Sequence, residues 1–289
     1  MKLSDYVADF LVKKGVSHVF VVSGGAAIHM IDSVSKRSEI KYICSQHEQH
    51  AGAEADGYAR IGKRLGAVIV TSGPGVTNLI TSIANAFYDS IPVLFLCGQV
   101  ASFRLKKSDK LRQKGFQETD IVSILKSITK YAVRLKNPRD IAYELEKAVH
   151  IAFEDRLGPV VVDIPDDYSR SEIPDFLRRF NPPKIKKKVN IGNLQKLILE
   201  SDRPIAILGA GINIADVRSE AIGFIERLNI PIALTYGGTD ILPYNHPLHV
   251  GIVGIAGTQA ANIAVQNSDL VIALGTRLSP NVTGGKQNL

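Results

Sequence analysis

The chain of 289 residues carries 35 Lys+Arg against 28 Asp+Glu, a formal net charge of +7, with 45% hydrophobic and 22% charged residues. That length and balance suit two globular domains and exclude a disordered chain or a fibre. Two cysteines, Cys44 and Cys97, exclude a disulfide framework and favour a reducing cytoplasm, and no apolar run approaches the roughly 20 residues that span a bilayer.

From the N-terminus, residues 1–15 read as an amphipathic helix with internal acids, unlike a cationic signal peptide. Strands are predicted over 18–22, 41–45, 67–71, 92–98, 131–135 and 159–164, mostly continuous Val- and Ile-rich runs of the kind buried on both faces. Helices are predicted between them, over 120–129 and 138–154 for example, the second opening on Asn137 as N-cap and Pro138 at the first helical position. This alternation predicts an α/β fold with a doubly wound parallel sheet over 1–170. Residues 171–189, with Pro174, Pro182 and Pro183 and no sustained period, read as a linker. Strands at 204–209, 231–235 and 270–275 and helices at 216–228 and 258–267 then predict a second, incomplete Rossmann-like α/β domain over 190–289. The chain stops shortly after a strand, so it reads as truncated.

The charge is localised. Residues 104–114 carry six bases and one acid and residues 178–188 six bases and no acid, which leaves the remainder of the chain at −4. No aromatic-interleaved or helix-turn-helix pattern accompanies either run, so no nucleic-acid surface is expected. Two motifs also fail. GYARIGKR (57–64) places Arg64 where a P-loop needs Ser or Thr, and a helix precedes it while a strand follows. His47, Glu48, Gln49 and His50 fall one residue short of the i, i+4 histidine pair of HExxH, so no metal site is expected.

Two other stretches begin where strands end, at the sheet edge where open α/β folds bind ligands. SQHEQHAGAEADGYAR (45–60) places Glu48 among small residues at the start of a helix. TSGPGVTN (71–78) holds Gly73, Pro74 and Gly75 in a tight turn, with Asn78 just beyond, where a flat ligand can approach the backbone. From spacing alone, a helix-capping carboxylate and an ordinary strand-to-helix turn are the readings favoured over a ligand site. Cys44 and Cys97, on predicted strands, read as small core residues, and His47 and His50 either orient Glu48 or sit behind it.

HEQHAGAEADGYARIGK, VIVTSGPGVTNLITSIANAFYDSIPVLFLCGQV and GFQETD, followed by RLGPVVVDIPDD and GIVGIAGTQAANIAVQNSDLVIALGTRL, resemble in order and spacing the thiamine-diphosphate-dependent 2-keto acid enzymes, particularly acetolactate synthase catalytic subunits. The resemblance implies a pyrimidine-binding N-terminal domain followed by a central domain. It implies thiamine diphosphate as cofactor, and decarboxylation of pyruvate with carboligation to a second 2-keto acid, in branched-chain amino acid biosynthesis. Glu48 is then the glutamate that hydrogen-bonds N1′ of the aminopyrimidine and so promotes loss of the thiazolium C2 proton. Burial in an apolar pocket would raise its pKa to suit that donation. Gln117 in GFQETD takes the place of the glutamine near the reacting centre; Gly24, Gly25, Gly73, Pro74, Gly75 and Asn78 would line the cofactor.

Arg156, Gly209, Gly211 and Arg277 match positions that contact FAD in that family. Ser279, Pro280 and Asn281 depart from its usual acidic pair, which weighs against FAD. The turn at Val22, Ser23, Gly24 and Gly25 and His29 also depart, which leaves a relative with another keto acid substrate open. The family holds Mg2+ and the diphosphate on a third domain bearing GDG, a tripeptide that does not occur in this sequence. By itself the chain is therefore expected to be inactive and to bind the cofactor weakly, and a non-catalytic module is a further alternative. The resemblance also implies a homodimer or larger assembly with a regulatory subunit; the composition and charge readings add no nucleic acid, no membrane and a cytoplasmic setting. The bases at 104–114 lead directly into GFQETD and could attract anionic keto acids or the cofactor.

Overall fold

The computed structural model of the chain describes residues 1–108, 110–183 and 191–285. They divide into two compact units, 1–184 and 185–289.

In the first unit, β1 (His18–Val21), β2 (Lys41–Cys44), β3 (Gly66–Val70), β4 (Val93–Gln99), β5 (Tyr131–Arg134) and β6 (Val160–Pro165) form one parallel sheet in the order β2-β1-β3-β4-β6-β5. Helices α1 (Leu3–Lys13), α2 (Ile28–Ser35), α3 (Glu48–Gly62), α4 (Pro74–Thr77), α5 (Ile80–Asp89), α6 (Ile121–Leu125), α7 (Ile141–Phe153) and α8 (Asp166–Ser169) connect or flank the strands. Successive residues of a strand serve different cores. Leu94, Leu96, Val160 and Val162 join residues of α1, α2 and α7 on one face, while Val93, Phe95, Cys97 and Val161 join residues of α3, α5 and α6 on the other. A strand covered on both sides has no position for a polar alternation, which is why β3, β4 and β6 are buried along their whole length. Each fully buried side chain such as Phe95 or Leu94 contributes on the order of 1.5–3 kcal/mol.

β2 is the exception. It lies at the sheet edge, three of its four residues are exposed, and Cys44 is exposed with them. The expectation that both cysteines are core residues therefore holds for Cys97 and fails for Cys44, because an edge strand has a neighbour on one side only and lacks the cover given to the centre. The start of α7 follows its sequence signal: the Asn137 side chain accepts a bond from Arg139 N, and Pro138 opens the turn that leads into the helix. The 120–129 segment is less regular than its pattern implies, with one α-helical turn and a half, α6, running into a 3-10 turn at Lys126–Ile128.

The proline-rich segment after α8 is attached to the first unit as far as it is described. Ile173 is buried, Leu3 N donates to Ser171 O at 2.9 Å, Phe180 N donates to Glu146 Oε2 at 2.9 Å, and Arg179 pairs with Glu146. Residues 184–190, the rest of the expected linker and much of the second basic run, lie outside the described residues.

The second unit holds a parallel sheet in the order β10-β7-β8-β9, from β7 (Pro204–Leu208), β8 (Ile232–Leu234), β9 (His249–Ile252) and β10 (Leu270–Leu274). It also contains α9 (Leu194–Glu200), α10 (Gly211–Ile214), α11 (Arg218–Leu228), α12 (Gln259–Gln266) and α13 (Pro280–Thr283). β9 has no counterpart among the predicted strands. It is short, contains Gly251 at φ +119°, and pairs with β8 through a register shift at Ile232/Ala233. Those irregularities remove the apolar run that marks the other strands.

Candidate functional site

The order of the first sheet reverses at β1. The chain steps outward from β1 to β2, then back past β1 to β3, so the connections leaving the carboxyl ends of β1 and β3 run in opposite directions, the arrangement that opens a crevice at the edge of such sheets. Three sequence-predicted segments end there. The turn with Gly24 and Gly25 follows β1, the segment leading to Glu48 follows β2, and the turn with Gly73, Pro74 and Gly75 follows β3.

Thr71, just past β3, ties these turns together. Its Oγ1 accepts a bond from Ala26 N at 3.3 Å. A Cβ on Gly24 would come within 2.5 Å of the Thr71 side chain, and one on Gly75 within 2.9 Å of Thr71 Cγ2. No side chain fits at either position without displacing Thr71. The sequence reading missed Thr71; its only signal was its place between an apolar strand and the glycine turn.

Glu48 is the first residue of α3. The helix begins there because the extended His47 is its N-cap, with Nδ1 accepting from Gln49 N at 3.1 Å. The His47 and His50 rings lie 5.7 Å apart, and no cluster of three or more His, Cys, Asp or Glu able to hold a metal exists among the described residues. GYARIGKR lies mostly inside α3, and Lys63 ends that helix, so the sequence never forms a phosphate-cradling loop.

Asn78 Nδ2 donates to Glu48 Oε2 at 2.9 Å. The other oxygen, Oε1, lies 3.8 Å from where a Gly75 Cβ would stand. One carboxylate oxygen is thus fixed by Asn78 while the second borders a space kept open by a missing side chain. Glu48 is half-buried and Asn78 exposed. The expected enclosure in an apolar pocket is not supplied by this unit, whose neighbouring groups at the carboxylate are glycine and an amide.

Gln117 joins the same place. A Cβ on Gly73, at φ +60° and ψ −118°, would come within 2.7 Å of Gln117 O, so the GFQETD loop lies directly on the glycine turn. Gln117 itself has φ +63°, left-handed for a residue with a side chain. Beside it, the Glu118 carboxylate accepts bonds from Lys106 N at 2.7 Å, Lys114 N at 2.8 Å and Gly115 N at 3.2 Å. Burial pushes the Glu118 carboxyl up, but those three N–H groups outweigh it and hold the pKa below the ordinary value. The basic segment is therefore folded around one acid at the edge of the site.

The same loop is tied, through the Thr119 carbonyl, to a buried polar group the sequence reading did not single out. Asp163, fully buried in β6, accepts from Arg134 Nε at 2.6 Å and Gln99 Nε2 at 3.1 Å. Burial raises its pKa to about 6 against the attraction of Arg134 and the bonds from Arg134 and Gln99, and with burial as the main cause its charge helps push the Cys97 thiol well up. The available signal was one acid in the apolar run VVVDIP.

Of the residues matched to flavin contacts, Arg156 belongs to the first unit and Gly209, Gly211 and Arg277 to the second. Arg156 donates from Nε to Ser90 Oγ at 2.6 Å and from Nη2 to Tyr88 O at 2.7 Å, closing the carboxyl end of α5 at the edge of the sheet opposite Glu48. In the second unit, Gly211 N donates to Gly275 O at 2.8 Å, and a Cβ on Gly209 would meet Gly275 O at 2.6 Å. These glycines let the turns after β7 and β10 pack together, and the Gly211 amide is already bonded. Arg277 is exposed. His29, one of the departures from the family pattern, lies 3.8 Å from Asp166 Oδ1.

Residues 1–124 match the family described as thiamine pyrophosphate enzyme, N-terminal TPP binding domain, and residues 191–289 match thiamine pyrophosphate enzyme, central domain. Among curated proteins the chain is similar to the acetolactate synthase large subunit of Corynebacterium glutamicum, 38% identical over 92% of this chain and 42% of that protein. The probable acetolactate synthase large subunit of Methanocaldococcus jannaschii is 37% identical over 98% of this chain and 48% of that protein. The acetolactate synthase large subunit of Lactococcus lactis is 36% identical over 96% and 48%. The chain thus spans less than half the length of these relatives.

Proposed function

From the premise that the chain belongs to the thiamine pyrophosphate enzyme family, of which it carries the N-terminal and central domains, we propose that it supplies the pyrimidine half of a thiamine-diphosphate site. In the whole protein that site would decarboxylate pyruvate and join the remaining two-carbon unit to a second 2-keto acid. The observation that carries this reading is the arrangement of Glu48, Asn78 and Gly75, a carboxylate held at one oxygen and open at the other beside a missing side chain.

The fit is local. The absent Cβ atoms at Gly75 and Gly73 leave room for a flat ring against backbone, and the open oxygen of Glu48 is placed to share a proton with a ring nitrogen. When bound, the cofactor supplies a carbon nucleophile and an electron sink for decarboxylation. Glu48 Oε1 would hold the proton that moves to and from the pyrimidine, Asn78 would fix the rotamer of Glu48, and Gly73, Pro74 and Gly75 would seat the ring, with Gly24 and Gly25 at the far side of the crevice. Gln117, resting on Gly73, would face the keto acid. The described residues contain no cluster for Mg2+, so the metal and the diphosphate would be held by groups outside them.

FAD belongs to the proposal in a weaker form, because Arg156 and Gly211 already spend hydrogen bonds within the chain. The relatives' names speak of a large subunit, which supports assembly with a second, regulatory subunit; a homodimer or larger assembly is part of the same proposal. A cytoplasmic setting follows from the same reading; no described helix is long and apolar enough to cross a membrane. A different keto acid substrate is the second reading, favoured by the exposed Ser23 and by His29 beside the crevice.

The test is Glu48→Gln in the whole protein, following carbon dioxide release and acetolactate formation from pyruvate. A loss of at least a hundredfold in kcat is expected for removing a proton-transferring group; undiminished turnover sinks the assignment. Wild-type activity on another keto acid, with none on pyruvate, selects the second reading.

A further inference from the structure

The left-handed backbone of Gln117 needs a cause. A side-chain-bearing residue at φ +63° is held in a sparsely populated conformation, and such conformations persist where neighbouring contacts over-determine them. On one side Glu118 gathers Lys106 N, Lys114 N and Gly115 N. On the other, the carbonyl of Thr119 accepts from Gln99 Nε2 at 3.0 Å and from Arg134 Nη2 at 3.2 Å. Both donors also bind the buried Asp163, and Gln99 Oε1 accepts from Val100 N at 2.9 Å.

We propose that Gln99 and Arg134, both held by the buried Asp163, form a clamp that grips the Thr119 carbonyl and thereby positions Gln117 against the Gly73 turn. The three residues come from β6, β4 and β5, adjacent strands at the centre and edge of the sheet. Asp163 fixes the orientation of both donors, and each donor spends a further N–H on the same carbonyl oxygen. None of the three reaches the glycine turn; they act through the loop and are positioning residues. A carboxylate in a core strand that otherwise reads VVV and IP has a large desolvation cost, and the clamp gives that cost a use. The kinetic part of the proposal rests on the carboligase reading, whereas the structural part does not.

Two measurements on the whole protein test it. The first is limited trypsin digestion without substrate, read at the exposed Lys110, Arg112 and Lys114. Gln99→Leu is expected to speed cleavage there at least fivefold while sites in α1 and α7 stay unchanged. The second is a double-mutant cycle with Gln117→Ala. Gln99→Leu is expected to lower kcat/KM about tenfold in the wild-type background and less than twofold when Gln117 is already alanine. Arg134→Leu, at a partly exposed residue, is expected to repeat both results and stands in if Gln99→Leu does not fold. Equal kinetic losses in both backgrounds, or unchanged cleavage of the loop, overturn the clamp. If the wild-type protein turns over no keto acid, the catalytic reading fails and faster loop cleavage still supports the clamp.

Discussion

Replacing Asp163 by Asn tests the electrostatics of the core with a sign and a size. Asp163 has no exposed surface, and burial raises its pKa from 3.8 to about 6, with Arg134 and Gln99 opposing the rise. Below pH 3.8 the group is protonated in both folded and unfolded chains and contributes nothing. Between about 4 and 6 the folded chain binds a proton that the unfolded chain has lost, so this group's contribution to stability falls as pH rises through that window. Above 6 both states are ionised, and the folded state carries a constant cost of about 3 kcal/mol, from roughly 1.4 kcal/mol per pH unit. Asparagine cannot titrate, so the stability of Asp163→Asn minus that of wild type should rise by about 2 kcal/mol from pH 4 to pH 7. Any cost of leaving Arg134 without its carboxylate partner in the variant is independent of pH, so it offsets the curve and does not alter the slope. Urea titrations can be read by pulse labelling of thiols with dithiodipyridine, which reacts at acid pH. Cys44 is exposed and labels at once, whereas the buried Cys97 in β4 labels only as the first unit unfolds. A stability difference that stays constant across pH 4–7 refutes the reasoning.

Gly75→Ala places a Cβ at 2.9 Å from Thr71 Cγ2 and is expected to cost about 1–3 kcal/mol in urea unfolding; in the whole protein, calorimetry should also show thiamine diphosphate affinity reduced at least tenfold. Gln117→Gly relieves the positive φ, so stability should stay within about 1 kcal/mol of wild type while kcat falls, separating the side chain's role from that of the loop backbone. Asn137→Ala removes the acceptor for Arg139 N and should lower the stability of the first unit by about 1 kcal/mol, with no change in turnover. Calorimetry on this chain alone, with thiamine diphosphate and Mg2+, should give weak or undetectable binding, because the proposed function gives these two domains only the pyrimidine half of the cofactor site.

Much of this was legible in the sequence, for a physical reason. A parallel strand covered on both faces is apolar at nearly every position, so GAVIV, VLFLCGQ and VVVDIP declare themselves as strands without reference to their partners, Gln99 and Asp163 being the polar exceptions. A glycine turn at the end of such a strand, and a carboxylate at the start of the next helix, mark the ligand edge of an α/β sheet in the same local way. β9 escaped because a glycine at positive φ and a register shift break its run, and Cys44 was misplaced because sequence does not say which strand lies at the edge.

What tertiary structure alone decided are the relations between segments distant in the chain. That Asn78 holds one oxygen of Glu48 across a separation of 30 residues depends on β1 lying between β2 and β3. That Gln99 and Arg134 converge both on Asp163 and on the Thr119 carbonyl depends on β6 lying between β4 and β5. Strand order is set by how the whole sheet shares its two cores, a global choice that no local pattern of residues records.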